Sequence, residues 1–174
     1  MAKGKFIQRG WHYIIHPTDV KKKLNIYKAK RANLQKGFVI FQEYIQHDFE
    51  WRVVRIGDSF FAHKKVKIGN KASGSLKKIY DNPPLKVLDF VKEITDNHKF
   101  YSQAIDIFET NKGYLVNEMQ CIFGQSDPYQ MLVNGIPGRY KCIDNMWIFE
   151  KGDYTSNSCF DLRVEYLLEV LSKS

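Results

Sequence analysis

No apolar run in the 174 residues reaches the roughly 20 needed to cross a bilayer as a helix. The basic amino terminus lacks the apolar core of a signal peptide. Cysteines are few: Cys121, Cys142 and Cys159 are odd in number and lack C-x-x-C spacing, so neither a zinc site nor a disulfide framework is indicated. Reduced thiols and a cytoplasmic location are the expectation. No internal repeat is present. Acids are nearly missing from the first 36 positions, which hold ten Lys/Arg against Asp19 alone. Such a segment can bind polyanions. No recognised nucleic-acid motif accompanies it, so RNA or DNA is a weaker reading than a solvated lysine-rich helix face.

What is present is a globular composition, 44% hydrophobic and 14% aromatic. The length suits one substantial domain or two small lobes around a cleft. A loose alternation over 1–16 suggests a short first strand. Thr18 or Asp19 can cap a helix to about Leu34 with a sparse stripe of Val20, Leu24, Tyr27 and Leu34. Residues 38–45, rich in β-branched and aromatic types, read as a buried strand. Trp51–Ile56 and Ser59–Ile68 read as a hairpin about Gly57-Asp58. The polar stretch 69–75 has no regular pattern. Asn82-Pro83 opens a helix to about Asn97. Residues 124–158, with Gly, Pro, Asn and Ser at short intervals, read as an irregular excursion. Asp161 is placed to cap a last helix bearing Val164, Leu167, Leu168 and Leu171 at i, i+3, i+4, i+7. The element order is α+β with mostly antiparallel strands.

The most informative stretch is Ser102–Gly124. Two runs with a two-residue apolar rhythm flank T-N-K-G, a hairpin with Gly113 in the turn. Ala104, Asp106 and Phe108 share one face of the first strand; Tyr114, Val116, Glu118 and Gln120 share one face of the second. A loop centred near Asn111-Lys112 sets Asp106 opposite Glu118, about 5 Å away between Cβ atoms. Two acids so close repel unless a cation or proton lies between them. Oxygen ligands of this kind suit Mg²⁺, which takes one or two carboxylates and completes its shell with phosphate and water. Removing either acid could then stabilise the ligand-free protein. Taken alone, the pair is more often the wet face of an ordinary hairpin.

Five motifs in order, F-Q-E-Y-I, W-R-V-V-R-I-G-D, N-K-A-S-G-S, A-I-D-I-F-E-T-x-x-G-Y-L-V and N-E-M-Q, resemble the core of the ATP-grasp enzymes over roughly residues 10–124. The resemblance implies mostly antiparallel sheets with helices packed on them, in two lobes around a nucleotide cleft. It also implies Mg·ATP and carboxylate–amine ligase chemistry, in which a carboxylate is activated as an acyl phosphate and captured by an amine. Glu43, Tyr44 and Ile45 would form the hinge that contacts adenine and ribose. Arg52 would reach phosphate, and Lys64 or Lys65, with Lys64 favoured, would face the γ-phosphate. Asn70, Ser73 and Gly74 would belong to a loop near the transferred group. Asp106, Glu118 and Gln120 would hold Mg²⁺, Gln120 standing where the family carries Asn. Segments 1–45, 46–124 and 125–174 would be a basic first lobe with the hinge, a nucleotide and metal core, and an excursion with the last helix. Arg139, Tyr140 and Trp147 of that excursion would wall the acceptor. Lys3-Gly4-Lys5 and Gln8-Arg9-Gly10 are partial remnants of the family's upstream phosphate loop. The chain is thus expected to be the C-terminal part of an ATP-grasp unit, completed by an upstream domain or an oligomer. A nucleotide-binding domain without catalysis is the alternative, with an unidentified carboxylate as the remaining partner.

Overall fold

The computed structural model describes residues 16–32, 41–69, 71–72, 77–124 and 127–173. Chain contacts divide the molecule between Tyr44 and Ile45. In the first unit, helix α1 (Pro17–Ala32) carries Asp19 in its first turn and Lys30 and Arg31 in its last. That order complements the helix dipole. The expected stripe of Val20, Leu24 and Tyr27 is exposed, and Leu34 lies outside the described residues. So do the strand expected over 1–16, apart from His16, and residues 38–40 of the next one. Residues 41–47 are irregular where the sequence pattern suggested a buried strand, and Phe41 and Tyr44 are exposed.

The second unit is α+β. Among its described residues a sheet contains β1 (Phe49–Ile56), β2 (Ser59–Ile68), β3 (Lys71–Ala72), β4 (Lys78–Ile79), β5 (Ser102–Thr110), β6 (Gly113–Gln120), β7 (Leu132–Val133), β8 (Ile136–Ile143) and β9 (Met146–Lys151). The main order is β6-β5-β1-β2-β8-β7, with β3 and β4 on β2 and β9 on β8. Each of these strand pairs is antiparallel. Short β3 lies in the stretch expected to lack regular structure. Strand β1 is central and covered on both sides, so Trp51, Val53, Val54 and Ile56 are all buried. Helix α2 (Leu85–His98) adds Val87, Leu88 and Val91 to the core. It begins two residues later than the sequence suggested, with Pro84 rather than Asn82 at the cap position. Asn82 is not its cap: its side chain bonds Asn134.

The Gly57-Asp58 turn forms as expected, Gly57 supplying a positive φ of 56°. It pairs Ile56 with Ser59, and every later register position follows from it. Arg55 fastens this turn to α2. Its Nε donates to the Gly57 carbonyl and Nη1 to Thr95 and Asp96, while its guanidinium lies 5.0 Å from the centre of the Phe60 ring and 4.7 Å from that of Tyr101.

Two expectations are corrected by the strands. The 124–158 excursion is largely β-structure. Asn134-Gly135 and Asp144-Asn145 have positive φ at both positions, the condition for the tight turns that match strand twist, and they join β7 to β8 and β8 to β9. Second, the register of β5 and β6 shifts between Asp106 and Ile107, so Asn117 is an extra residue on β6. A bulge reverses the alternation. Glu118 and Gln120 stay opposite Asp106 and Ala104, but Val116 and Tyr114 pair with Ile107 and Glu109 and therefore sit on the other face. Tyr114 accordingly packs on Phe90 of α2.

Helix α3 (Ser156–Ser172) is capped by Thr155, whose hydroxyl accepts from the Ser158 N–H, rather than by Asp161. It meets the sheet through Tyr166 near Gly57 and Arg163 at Ser102. The periodic residues Val164, Leu167, Leu168 and Leu171 are exposed. Among the described residues no helix is long and apolar enough to cross a membrane. The three cysteines are unbridged, and Cys159 is buried, which pushes its thiol up to about 11.

Gly138 lies where a Cβ would strike the Phe149 ring and come within 2.6 Å of the Glu150 carbonyl oxygen. Backbone cannot yield there as a side-chain tip can. We expect Gly138→Ala to cost about 1–3 kcal/mol in chemical denaturation, whereas Gly138 as a mere linker would give a change within error.

Candidate functional site

The register of the sheet sets four chemistry-bearing residues in one row across four neighbouring strands. His63 of β2 pairs with Arg52 of β1, Arg52 with Asp106 of β5, and Asp106 with Glu118 of β6. Cross-strand partners share a face, so all four side chains emerge together. One step along the same face Glu50 pairs with Lys65, and on the other side lies Gln120.

Asp106 is 1% exposed and held by two cations. Arg52 grips it with both arms, Nε to Oδ1 at 2.7 Å and Nη2 to Oδ2 at 2.8 Å. Lys65 donates to Oδ2 at 2.7 Å and to Glu50 Oε2 at 2.9 Å. The bulged Asn117 donates to the other oxygen of Glu50, which explains why the sheet carries an extra residue at this point. Glu50 and Lys65 are themselves 5% and 4% exposed. Charges so buried are sustained only by close pairing and hydrogen bonding. As a quartet, Glu50, Lys65, Asp106 and Arg52 are neutral. The cations that neutralise Asp106 are thus present in the chain itself, and both lie on Asp106 rather than between it and Glu118.

Glu118 adds an exposed negative charge at the end of the row. Among the described residues its carboxylate receives the Gln120 amide and no cation. Gln120 turns its oxygen toward Arg52 Nη2 at 3.4 Å. The expected metal ligands are therefore brought together. Among the described residues there is no group of three or more His, Cys, Asp or Glu suited to a metal, so a cation here would need the Gln120 oxygen as third protein donor. The donor chemistry fits Mg²⁺: it is all oxygen, and a carboxylate has about four lone-pair positions, of which Asp106 uses three.

Of the two candidate lysines, only Lys65 shares the row's face. Lys64 lies on the opposite face, paired to Asp81 at 2.8 Å and set over the Phe49 and Trp51 rings. Lys65 occupies the row's face. Glu43 and Tyr44 are exposed, Ile45 is half-buried, and all three are irregular in backbone at the division of the chain. Asn70, Ser73 and Gly74 lie outside the described residues. Arg139, Tyr140 and Trp147 are at the turn end of the sheet: Arg139 bonds Ser59, Tyr140 pairs with Phe60, and Trp147 donates to Asp89. Ser59 is four residues from His63 along β2, or about 13 Å at 3.3 Å per residue, so these side chains do not adjoin the row.

Two members of the cluster, Glu50 and His63, went unrecognised in the sequence. The signal existed: a two-residue turn at Gly57-Asp58 fixes which β2 residues oppose Arg52 and Glu50. His63 is 1% exposed. Its Nδ1 lies 3.1 Å from the Gln130 carbonyl, which can only accept, so Nδ1 carries the proton. Nε2 is then an acceptor, and among the described residues it has no hydrogen-bond partner. Burial first, then the charges of Lys78 and Arg52, outweigh the Gln130 bond and push the imidazole down to about 3.

No family model matches the chain, and no curated protein does.

Two outcomes follow from this electrostatics. Asp106→Asn leaves Arg52 and Lys65 undercompensated, so we expect a loss of about 3–5 kcal/mol, not the gain that like-charge repulsion alone suggested; equal or higher stability in urea would contradict it. His63 binds its proton less readily folded than unfolded. Its contribution is therefore complete above about 6.5 and is lost as pH falls toward about 3, by up to about 1.4 kcal/mol per pH unit. The parent should lose stability over that window faster than His63→Gln, and parallel pH profiles would overturn this.

Proposed function

We propose that the chain carries an ATP-grasp-type site for Mg·ATP, in a ligase that activates a carboxylate as an acyl phosphate for capture by an amine. The observation that carries the reading is the single row of Arg52, Asp106 and Glu118 with Lys65 beside it. It joins phosphate-binding cations to metal-binding oxygens on rigid, adjacent strands. Phosphoryl transfer asks of a protein chiefly positioning and charge neutralisation. The planar Arg52 fork suits two phosphate oxygens, and Lys65 adds a point charge. Asp106, Glu118 and Gln120 would hold Mg²⁺, which when bound neutralises charge on the phosphates. Main-chain groups of Glu43, Tyr44 and Ile45 remain the proposed adenine contacts, and Asn70, Ser73 and Gly74 the proposed loop. In the ligation the amine nitrogen bonds to the acyl carbon, the carbon–oxygen bond to phosphate breaks, phosphate departs with the electron pair, and the amine proton passes to solvent.

A second reading, nucleotide binding without catalysis, is favoured by one observation. The Glu50–Lys65–Asp106–Arg52 quartet is charge-neutral by itself, so phosphate and metal must compete with contacts already made. Phosphate release on adding a carboxylate and an amine separates the two readings.

Glu118 is exposed, so Glu118→Gln should leave the unliganded fold intact. Calorimetry should show Mg·ATP affinity lowered about tenfold or more in Glu118→Gln and in Arg52→Lys, the equivalent of about 1.4 kcal/mol or more. Affinities equal to the parent's in both variants would reduce the row to a structural ion-pair network.

A further inference from the structure

Resting on the site just proposed, His63 offers something its neighbours do not. Arg52 and Lys65 present only donors, and Asp106 and Glu50 present oxygens already engaged by those donors. His63 stands next to Arg52 in the same row, with its proton committed to Gln130 and a buried acceptor nitrogen to which no described residue donates. Leaving a buried acceptor unsatisfied is costly, and such exceptions in a polar cluster call for a missing partner. Among the described residues the other buried polar side chains of the row are paired, so the unmatched acceptor is specific to this atom.

The chemistry of the ligands narrows what that partner is. Phosphate groups of a nucleotide offer acceptor oxygens, which the cations take and which a lone pair repels. That excludes the phosphates and leaves the nucleotide's ribose and adenine groups or a molecule beside the phosphates; the place of His63 opposite Arg52, the proposed phosphate contact, favours the latter. We propose that His63 Nε2 accepts a hydrogen bond from the N–H or O–H of the incoming nucleophile and so orients it in the row. The class of nucleophile is an uncharged amine or hydroxylamine-like donor. An ammonium would meet the charges of Lys78 and Arg52 around the ring, against Asp106 alone of opposite sign. Gln130 and Tyr80 complete the ring's neighbourhood: the Tyr80 ring lies 6.1 Å away, its hydroxyl bonded to the Tyr129 carbonyl. That second bond holds the 129–130 segment, and with it the Gln130 carbonyl that fixes the tautomer.

The test is nitrogen-15 NMR of the full chain labelled at histidine, with His63→Gln used to assign the His63 signals. The probes are Mg·ATP and then hydroxylamine, a small donor largely uncharged at neutral pH. We expect Nε2 to resonate as a bare acceptor without ligand, to stay there with Mg·ATP, and to shift to the hydrogen-bonded position once hydroxylamine is added. Hydroxylamine should also bind about tenfold more weakly to His63→Leu, the scale of one lost hydrogen bond. A signal already hydrogen-bonded without ligand means that solvent supplies the donor and overturns the proposal. A shift with Mg·ATP alone assigns the donor to the nucleotide and overturns it too. Calorimetric Mg·ATP binding with Nε2 unmoved by either probe sinks the His63 role and leaves the nucleotide site standing. No Mg·ATP binding at all sinks both.

Discussion

The Asp106 carboxylate, buried between the Arg52 guanidinium and the Lys65 ammonium, sets terms for the whole second unit. An ionised group at 1% exposure survives only if its partners arrive at hydrogen-bond distance together. With Asp106 itself they come from three different strands, so β2, β1 and β5 have to pair in one register. A slip of one residue on any of them would turn a charge into the opposite face, where Trp51, Val53, Ala62 and Ile105 pack. The ion pairs therefore select the register that the apolar core also prefers, and each makes the other harder to shift.

The same constraint explains local features that otherwise look like irregularities. The extra residue Asn117 lets β6 give Glu50 a donor while still aligning Glu118 with Asp106. It also sends Tyr114 to the helix side. At the far end of the sheet, Arg55 does for α2 and the Gly57 turn what Arg52 does for the row, but with its fork spent on a carbonyl, a hydroxyl and Asp96. One arginine closes a structural joint; its neighbour three residues away, on the other face of β1, lies in the candidate site. Alternation of strand faces separates the two roles.

Function follows from how these charges are balanced. The quartet is internally paired, whereas among the described residues Glu118 receives no cation and His63 Nε2 no donor. They stand at opposite ends of the row, two strands apart from each other's neighbours. That asymmetry suits the two ligands proposed above, a cation-bridged anion toward Glu118 and a donor-bearing molecule toward His63, with Arg52 between.

Much of this was determined by sequence alone. Gly57-Asp58 and Thr110–Gly113 are local turns whose geometry depends on a few adjacent residues, so both hairpins and the Asp106–Glu118 pairing could be read from the chain. The strand-dense 132–151 segment was also written locally, in Asn134-Gly135 and Asp144-Asn145, but its glycines and proline masked it. What only the tertiary structure decided was the sharing of partners. Lys65 outranks Lys64 because Glu50 and Asp106 lie on its side of β2. Asn117 is bulged because Glu50 needs a donor, and His63 is an open acceptor because Gln130, 67 residues away, takes its proton. The α3 stripe had a perfect helical period yet is exposed, since periodicity shows which residues share a face but not whether anything covers it. Local sequence fixes backbone direction through short-range sterics; burial and charge pairing depend on residues that only folding brings together.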